Sequence, residues 1–343
     1  MMLNIEWEKI ATAYDLIISE IKPIQSGLIN STFKVVTQRG DFIVQQLNTS
    51  VFKDVDAIAD NISKVGNYLK NVFPDYLFTH PVPQQNGECL FKQEDLVFRV
   101  FPFINNTHTI QTTSSPHEAY EAAYQFALFT KKLTGFPLAT LHETIPRFHD
   151  LQLRYHQFEQ AVNANNGIRK TKASALIKEV LERMDIVNAY EYFITHKDSK
   201  KRVMHHDTKI SNVLFDAAGK GVTVIDLDTI MPGYLLSDLG DMLRTYIANV
   251  SEEETDLDVI FIRDAYVKAI EQGYKAGLEN EISSFESDNF YLFGRIMMYM
   301  QALRFLTDYL EYDIYYGQNK EDQNLKRALN QHRLLELFEE LYP

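Results

Sequence analysis

The sequence predicts an α+β protein of two lobes, a small β-rich lobe over residues 1–101 and a larger, mostly helical lobe over residues 102–343. Short apolar runs separated by turn residues fill the first lobe, as in antiparallel strands. Beyond residue 115 the apolar residues recur with helical spacing. One apolar hairpin interrupts the helical part near residue 213, directly after a group of polar residues. Together these three observations predict a sheet lobe joined by a short hinge to a helical lobe.

The first lobe is predicted to contain two helices and five strands. Apolar residues at helical spacing predict the helices, and the second one begins beside an Asp, which helix N-termini favour. In chain order, the predicted elements are a helix over residues 6–19, strands from residue 21, over 32–36 and over 42–47, a helix over 54–72, and strands over 90–91 and 96–101.

Phe101-Pro102-Phe103-Ile104 follows the last of these strands and fits a hinge between the lobes. Backbone N–H and C=O groups at such a hinge would pair with the edge of an adenine. On the residues alone, a plain strand end is an equally good interpretation.

The second lobe is predicted to be helical around one hairpin. Ser115-Pro116-His117-Glu118 combines a Ser cap, an early Pro and a Glu three residues after the Ser, which is a capping box. Residues 163–172 are predicted as a polar loop. The other predicted elements are helices over residues 116–133, 172–193, 237–250, 252–272, 286–311 and 324–341 and a turn over 231–233.

Residues 205–212 read His-His-Asp-Thr-Lys-Ile-Ser-Asn, which has the H-x-D-x-x-x-x-N spacing of a kinase catalytic loop. An apolar hairpin follows, with strands over residues 213–215 and 222–225. A hairpin brings its open ends together, so we expect Asn212 and Asp226 side by side, with Asp207 just upstream. The spacing alone is weak evidence, but the hairpin that ends in Asp makes it specific.

This arrangement suits phosphoryl transfer from a nucleotide. Asp207 would accept the proton of the attacking hydroxyl and hold that hydroxyl in line with the γ-phosphorus. Asn212 and Asp226 would supply the hard oxygen ligands that Mg²⁺ prefers. Lys209 would reach the transferring phosphoryl group and offset its developing charge. The structural alternative is a surface loop followed by an ordinary hairpin.

Composition narrows the class of partner. The chain has 34 Lys and Arg against 47 Asp and Glu, and the net charge of −13 argues against nucleic acid or an anionic membrane as the main partner. The single cysteine, Cys89, excludes an intrachain disulfide and a multi-cysteine metal site. No apolar run has the length of a membrane span, and residues 1–20 lack the apolar core of a signal peptide. We expect a cytoplasmic protein.

These motifs resemble those of the aminoglycoside phosphotransferase and choline kinase superfamily, which has a protein-kinase-like fold. Its phosphate-loop pattern, G-x-x-N-x-x-[FY]-x-V, is met by Gly27, Asn30, Phe33 and Val35. Its catalytic signature and its metal aspartate are met by His205, Asp207, Asn212 and Asp226.

Within the superfamily the sequence is most similar to N-acetylhexosamine 1-kinases. The similarity spans almost the whole chain, in blocks over residues 27–33, 44–48, 145–150, 206–209, 224–233 and 304–310. It implies that ATP, with Mg²⁺, phosphorylates the anomeric hydroxyl of a free amino sugar.

The resemblance also implies two sets of binding residues. The nucleotide would contact Gly27, Asn30, Thr32, Gln45, Phe101 and Phe103. The acceptor would contact Asp207, Asp228, Arg304 and Tyr315. Asp228 lies one alternation past Asp226 and could bind either the metal or the sugar. Asp308 and Tyr316 are further candidates, and for each residue around position 304–316 a structural ion pair or a core aromatic is the alternative.

One departure concerns the third strand, where kinases usually carry a Lys that holds the α- and β-phosphates. Here Gln45 stands in a strand without a Lys, as it does in the N-acetylhexosamine kinases. A Gln amide donates only a neutral hydrogen bond, which is weaker than a charge-assisted one. We therefore expect Lys209, with Lys34 as a second candidate, to carry more of the phosphate charge.

Other chemistries fit the residues less well. The D-x-D of Asp226 and Asp228 is also typical of nucleotide-sugar glycosyltransferases, but no parallel βαβ series precedes it. Phosphatases with D-x-D-x-[TV] have Thr or Val where Ile230 stands. A zinc site at His205-His206 lacks an evident third ligand, and no P-loop motif occurs.

Two alternatives to an amino-sugar kinase stay open. A non-catalytic relative that binds nucleotide or sugar is favoured only by the missing strand Lys. Kinases of choline or ethanolamine, of aminoglycosides and of homoserine are the other candidates, because a cationic acceptor needs an acidic or aromatic pocket and the chain is acidic.

Overall fold

The computed structural model describes residues 5–24, 30–164 and 167–343. The elements of the first lobe are α1 (Trp7–Ala13), β1 (Ile18–Ile24), β2 (Ser31–Thr37), β3 (Gly40–Leu47), α2 (Val55–Val72), β4 (Leu90–Gln93) and β5 (Leu96–Pro102). The five strands form one antiparallel sheet in the order β1-β2-β3-β5-β4. The predicted strands and the predicted second helix are all present.

The first helix is shorter than predicted. It ends at Ala13, and Asp15 takes a left-handed backbone conformation with φ of 53°. Ile18 already pairs with Thr37 of β2. The β-branched Ile17 and Ile18 favour an extended backbone, and pairing with β2 outweighs the helical spacing of the residues before them.

The two faces of the sheet differ in chemistry. One face is apolar and packs against α1, through Val35, Val44, Phe98 and Val100 on the strands and Ile10, Tyr14 and Leu16 below them. On the opposite face Thr32, Gln45 and Arg99 lie in one row, because Gln45 is paired with Thr32 on β2 and with Arg99 on β5. Arg99 contacts Asp228 of the second lobe, so this polar row faces the cleft between the lobes.

The second lobe begins with β6 (Thr107–Thr109) and is mainly helical. Its helices are α3 (Pro116–Lys132), α4 (Leu151–Ala164), α5 (Ile168–Lys172), α6 (Ser174–Leu181), α7 (Met184–Thr195), α8 (Leu235–Tyr246), α9 (Asp264–Leu278), α10 (Ser284–Asp288), α11 (Phe290–Leu310) and α12 (Gln323–Leu341). Its other strands are β7 (Arg202–Met204), β8 (Val213–Asp216), β9 (Gly221–Val224) and β10 (Met231–Gly233). Short 3₁₀ turns cover Leu138–Thr140, Ile210–Asn212, Leu227–Thr229, Leu257–Val259 and Glu279–Glu281.

Two features hold this lobe together. Helix α11 is buried on nearly all sides and packs against α4, α8 and α12. Helices α3 and α9 cross closely, and two glycines one turn apart allow this approach. A Cβ at Gly273 would lie 2.3 Å from the backbone oxygen of Tyr120, and one at Gly277 would lie 2.6 Å from the Ala127 Cβ. Any side chain at either position would push the two helices apart.

Several helix boundaries were predicted wrongly. The predicted helix over 252–272 begins only at Asp264, because Glu252 leaves the helical path to pair with Arg244 and Arg327. The predicted helix over 172–193 is divided into α6 and α7, and residues 168–172, predicted as a loop, form α5. The predicted helix over 286–311 is divided at Asn289. Long-range ion pairs and packing decide these breaks.

The predicted capping box at α3 is only half formed. The Ser115 hydroxyl accepts a hydrogen bond from the Glu118 N–H (3.3 Å). The Glu118 carboxylate, however, accepts from the backbone N–H of Ser114 (2.7 Å) instead of that of Ser115.

The predicted hairpin is confirmed as β8 and β9, with Val213 opposite Val224. The predicted lobe boundary between residues 101 and 102 falls at the end of β5, and the division into domains stays a prediction. Within the described ranges, no helix combines the length and the apolar character that crossing a membrane requires.

Candidate active site

The loop of residues 205–212, here called the catalytic loop, lies between β7 and β8 and is fixed by the first turn of α8. The Asp238 carboxylate accepts hydrogen bonds from the backbone N–H groups of His205 (3.0 Å) and His206 (2.7 Å). Burial raises the pKa of Asp238 to about 7, while the two N–H groups stabilise its charged form. The backbone of the loop is therefore positioned by the protein itself.

His205 ties the catalytic loop to the end of the hairpin. Its Nε2 lies 2.9 Å from the backbone oxygen of Ile225, so this nitrogen carries the proton and donates it. Its own backbone oxygen accepts a hydrogen bond from the Thr229 hydroxyl (2.6 Å). Burial lowers the pKa of His205, which leaves the imidazole neutral. The residue links the segment that carries Asp207 to the segment that carries Asp226.

Asp207, Lys209 and Asn212 converge within the catalytic loop. The Asn212 amide donates to the backbone oxygen of Asp207 (2.9 Å) and to its carboxylate Oδ2 (3.2 Å). The Lys209 Nζ lies 3.1 Å from the Asp207 Oδ1. Burial lowers the pKa of Lys209, but the charges of Asp207 and Asp241 outweigh it and raise the pKa, so the ammonium stays charged. The carboxylate is thus oriented by an amide on one oxygen and a cation on the other.

Asp226 follows β9 directly and has a left-handed backbone conformation with φ of 61°. The preceding N–H, that of Ile225, donates to the backbone oxygen of Asn212 (2.8 Å). Asp226 keeps an exposed surface. Even so, desolvation of its carboxyl by the surrounding protein and the negative charges of Asp228 and Asp207 hold its pKa above the ordinary range, against the opposing charges of Arg99 and Lys209. The acidic groups therefore lie close enough together for a bound cation to stabilise them.

The donor set fits a magnesium ion that is shared with a phosphate. Since the Asn212 Nδ2 is engaged by Asp207, the amide oxygen is directed away from that carboxylate. Mg²⁺ in kinases takes one or two protein oxygens and completes its shell with phosphate and water. In the part of the chain that the structure covers, no group of three or more His, Cys, Asp or Glu is arranged to hold a metal. An ion at Asn212 and Asp226 would accordingly need phosphate oxygens as further ligands.

Asp228 joins the two lobes. It is buried, with Oδ2 accepting from the Asn30 amide (2.9 Å) and Oδ1 in contact with the Arg99 Nη1. The Asn30 Oδ1 in turn accepts from the backbone N–H of Asn48 (3.0 Å). The predicted nucleotide residue Asn30 and the predicted acceptor residue Asp228 are therefore bonded to each other. Gly27, predicted to bind the nucleotide, lies outside the described residues.

The polar row on the sheet forms the roof of the cleft. The Gln45 amide donates to the Thr32 hydroxyl (3.3 Å), and its oxygen accepts from the Arg99 Nε (3.0 Å). In the described ranges, no acidic residue of α2 pairs with this row, since Asp56 pairs with Lys92 and Asp60 with Lys64. The buried Asn61 of α2 donates to the backbone oxygen of Ile230 (3.0 Å), just after Asp226 and Asp228, here called the acidic pair.

The predicted hinge residues lie at the edge of the cleft. Phe101 is buried, with the Arg99 guanidinium 5.1 Å from its ring centre. The Phe103 N–H donates to the backbone oxygen of Asp41 (2.9 Å), so this N–H already has a hydrogen-bond partner within the protein. Lys34 lies 3.7 Å from the Phe103 ring centre and 2.8 Å from the Asp41 carboxylate. Lys34 is thus engaged at the hinge.

Arg304 lies on the other side of the catalytic loop, among aromatic rings. Its guanidinium is 5.5 Å from the ring centre of Phe148, 5.8 Å from that of Tyr315 and 5.5 Å from that of Tyr316. It donates to the Gln301 Oε1 (3.2 Å). Among the residues that are described, no carboxylate lies within ion-pair distance of Arg304. Its charge is therefore available to a ligand.

Asp308 shapes the loop that carries the two tyrosines. Its carboxylate accepts from the backbone N–H groups of Tyr315 (2.7 Å) and Tyr316 (3.0 Å). The residue is buried, and Asn324 donates to it as well (3.0 Å). Asp308 is a structural residue here, which matches the structural alternative for this position.

Two histidines connect Arg304 to the catalytic loop. The Ser237 hydroxyl bridges the Nδ1 atoms of His149 and His206, and the second of these contacts is 2.7 Å. The Phe148 ring stacks on His149 with 4.3 Å between centres. Burial lowers the pKa of His206 to about 4, and burial together with the charges of His206 and Arg304 lowers that of His149. Both rings are neutral at pH 7.

Comparison with known proteins identifies the family. A profile described as a phosphotransferase enzyme family matches residues 20–279, about three quarters of the chain. The chain belongs to that family.

Three solved structures are similar to this phosphotransferase over nearly its whole length. An aminoglycoside phosphotransferase from Alicyclobacillus acidocaldarius is 13% identical with a TM-score of 0.69, covering 100% of this chain and 97% of that one. A choline kinase from Cryptosporidium parvum is 17% identical with a TM-score of 0.60, covering 98% and 92%. Spectinomycin phosphotransferase in complex with ADP and spectinomycin is 14% identical with a TM-score of 0.54, covering 95% and 97%. At these identities the likeness shows the fold, and the predicted protein-kinase-like architecture is confirmed.

In this phosphotransferase the structure brings together Asp207, Lys209, Asn212 and Asp226, as the hairpin argument expected. It also reveals residues that were not predicted. Arg99 had one sequence signal, a lone charge within the apolar run of residues 96–101. His149 lies within the similar block over residues 145–150 and Ser237 just after the block over 224–233. Neither block predicted their contact, because it joins positions 88 residues apart.

Proposed function

We propose that this phosphotransferase transfers the γ-phosphoryl group of ATP to the anomeric hydroxyl of an N-acetylhexosamine, giving the sugar 1-phosphate and ADP. The observation that carries the choice of acceptor is Arg304. It is a guanidinium without a carboxylate partner in the described structure, and it is surrounded by aromatic rings. Contacts through Phe148, His149 and Ser237 lead from it to His206, the residue before Asp207.

The surroundings of Arg304 disfavour a cationic acceptor. An aromatic cage can bind an ammonium group. Here the Arg304 guanidinium already lies against the faces of Phe148, Tyr315 and Tyr316. A choline or an aminoglycoside at this place would meet a positive charge at short range, which costs free energy in a partly buried site.

A neutral amino sugar suits the same residues. Sugars are bound by flat apolar or aromatic faces together with a few placed polar groups. The Arg304 N–H groups would donate to the carbonyl oxygen of an acetamido group, as charge-assisted hydrogen bonds. The exposed ring of Tyr315 would cover a sugar face.

The catalytic loop supplies the proton chemistry. Asp207 would accept the proton of the anomeric hydroxyl while that oxygen forms its bond to the γ-phosphorus and the bond between the γ-phosphorus and the bridging oxygen of ADP breaks. Lys209, beside Asp207, would stabilise negative charge on the transferring group. Asn212 and Asp226 would hold Mg²⁺, which neutralises charge on the phosphates when it is bound.

A direct screen tests this proposal. The purified protein is incubated with ATP and Mg²⁺ and, separately, GlcNAc, GalNAc, choline, homoserine or kanamycin, and the phosphorylated product is identified by ³¹P NMR. We expect a glycosyl 1-phosphate from at least one amino sugar and no product from choline or kanamycin. Phosphorylation of a cationic acceptor alone would refute the proposed substrate but not the kinase chemistry. If the protein binds ADP but consumes no ATP with any of the five acceptors, the result would favour a non-catalytic relative.

A further inference from the structure

A buried arginine stands in the middle of the sheet of the first lobe. Arg99 lies on β5 directly opposite Gln45 of β3, and only 2% of its surface is exposed. A buried charge is costly unless it is paired, so its contacts indicate what it is there to bind.

Arg99 faces the place where a strand lysine would act. Gln45 occupies the third strand, where kinases carry the lysine for the α- and β-phosphates. The Gln45 oxygen accepts from the Arg99 Nε (3.0 Å), which fixes the guanidinium while its terminal nitrogens point across the cleft to Asp228. The Phe101 ring supports it from the hinge side.

The Arg99 Nη1 and the Asp228 Oδ1 are in direct ion-pair contact, and both atoms are buried. A buried ion pair adds little net stability, so stability alone does not explain this one. A planar guanidinium held at one end matches the two oxygens of a phosphate group.

The other cations near the cleft have different tasks. Lys34, the second candidate for phosphate binding, is held at the hinge by Asp41 and the Phe103 ring. Lys209 pairs with Asp207 on the acceptor side of the acidic pair. Arg99 approaches that pair from the opposite side, from the sheet. The two cations therefore flank the position where a phosphate chain and its metal would lie.

We propose that Arg99 is the phosphate-binding cation of the first lobe and replaces the missing strand lysine from the neighbouring strand. This proposal rests on the nucleotide-dependent function proposed above. In the nucleotide complex its guanidinium leaves Asp228 and binds oxygens of the α- and β-phosphates. Asp228 keeps its hydrogen bond from Asn30, and Mg²⁺ held by Asn212 and Asp226 would supply positive charge near its carboxylate.

Calorimetric binding of ADP with Mg²⁺, and of adenosine, tests the assignment without an acceptor. Arg99→Gln keeps a donor to Gln45 but removes the charge. We expect it to weaken ADP binding by about 10- to 100-fold and to leave adenosine binding within about threefold, because only ADP carries the phosphates that Arg99 contacts. Equal losses for both ligands, or no loss for ADP, would overturn the proposal.

A rescue and a charge-neutral pair complete the test. Gln45→Lys combined with Arg99→Gln returns a cation to the third strand and is expected to recover most of the ADP affinity. Arg99→Gln leaves the buried Asp228 carboxylate without its ion-pair partner and could prevent folding for that reason. In that case the double variant Arg99→Gln with Asp228→Asn is compared with Asp228→Asn alone. We expect weaker ADP binding in the double variant, and equal binding would overturn the proposal. A wild-type protein that binds no ADP would instead refute the nucleotide-dependent function on which the proposal rests.

Discussion

The Asn212 side chain donates to both the backbone oxygen and the carboxylate of Asp207, so the amide that would serve a metal also fixes the proposed base. This coupling gives the two residues different mutational signatures. A change at Asp207 would remove the proposed proton acceptor. A change at Asn212 would remove a proposed metal ligand and would also release the Asp207 carboxylate from its hydrogen bond.

For Asp207→Asn we expect nucleotide binding close to that of the wild type and a loss of turnover of about 10²- to 10⁴-fold, since a neutral amide cannot accept the proton. Steady-state kcat with the best acceptor and calorimetric binding of ADP measure the two effects. Asn212→Ala is expected to lower both turnover and the apparent affinity for Mg²⁺. A fully active Asp207→Asn protein would show that another group is the base.

Arg304 is expected to act on the acceptor and not on the nucleotide. Arg304→Gln should raise the KM for the sugar by about 10- to 100-fold, the cost of losing a charged hydrogen bond, and leave the KM for ATP unchanged. Arg295→Gln is the matched control, because Arg295 lies on the same helix α11 but pairs with Glu339 and Asp185. A control that behaves like Arg304→Gln would mean that the effect comes from the helix and not from the sugar contact.

The buried histidines predict a pH-dependent stability. The folded pKa of His206 is about 4, below its ordinary value of 6.5, so the unfolded chain takes up a proton first as the pH falls. The folded state therefore loses stability as the pH falls from about 6.5 toward 4, and at pH 5.5 the loss from His206 alone is about 1 kcal/mol. His149 adds to the same trend.

Urea unfolding at pH 7.5, 6.5 and 5.5 measures this slope. His206→Gln should flatten the change in the free energy of unfolding, while His117→Gln, at an exposed histidine, should leave it as in the wild type. Equal slopes in all three proteins would show that these rings do not stay neutral on folding.

The close crossing of α3 and α9 predicts a strong effect of a small change. Gly273→Ala would place a methyl group 2.3 Å from the Tyr120 backbone oxygen, which cannot move without the helix. Overpacking costs about 1 to 3 kcal/mol, and contact with a backbone oxygen places this change at the upper end. After a gain of about 1 kcal/mol in helix propensity, we expect a net destabilisation of about 2 kcal/mol. Gln272→Ala, at the exposed neighbouring position on α9, serves as the control and should be nearly neutral in thermal unfolding. A Gly273→Ala protein as stable as the wild type would show that the crossing relaxes.

The strands and the hairpin could be predicted from the sequence because the residues that form each of them are close together in the chain. The hairpin of β8 and β9 places Asn212 beside the residue before Asp226 through a single hydrogen bond, and that juxtaposition needed only the apolar runs and the turn between them. Strand alternation likewise fixed the sheet of the first lobe.

The contacts that escaped prediction are long-range. Arg99 meets Asp228 across 129 positions of chain, and His149 meets Ser237 across 88, so no periodicity or motif joins them. The N-terminal part of the helix predicted over 252–272 was wrong for a similar reason, since Glu252 lies outside any helix and pairs with Arg327, 75 positions away. Burial then decides the charge states, which composition cannot reveal.

The start of α8 has a mechanical consequence. Ser237 and Asp238 are consecutive, and one holds the histidines beside Arg304 while the other holds the backbone that leads to Asp207. A displacement of this helix end would therefore move the histidines beside Arg304 and the backbone before Asp207 together. The distance between the proposed acceptor site and the proposed base would then change little, because both are attached to the same helix turn.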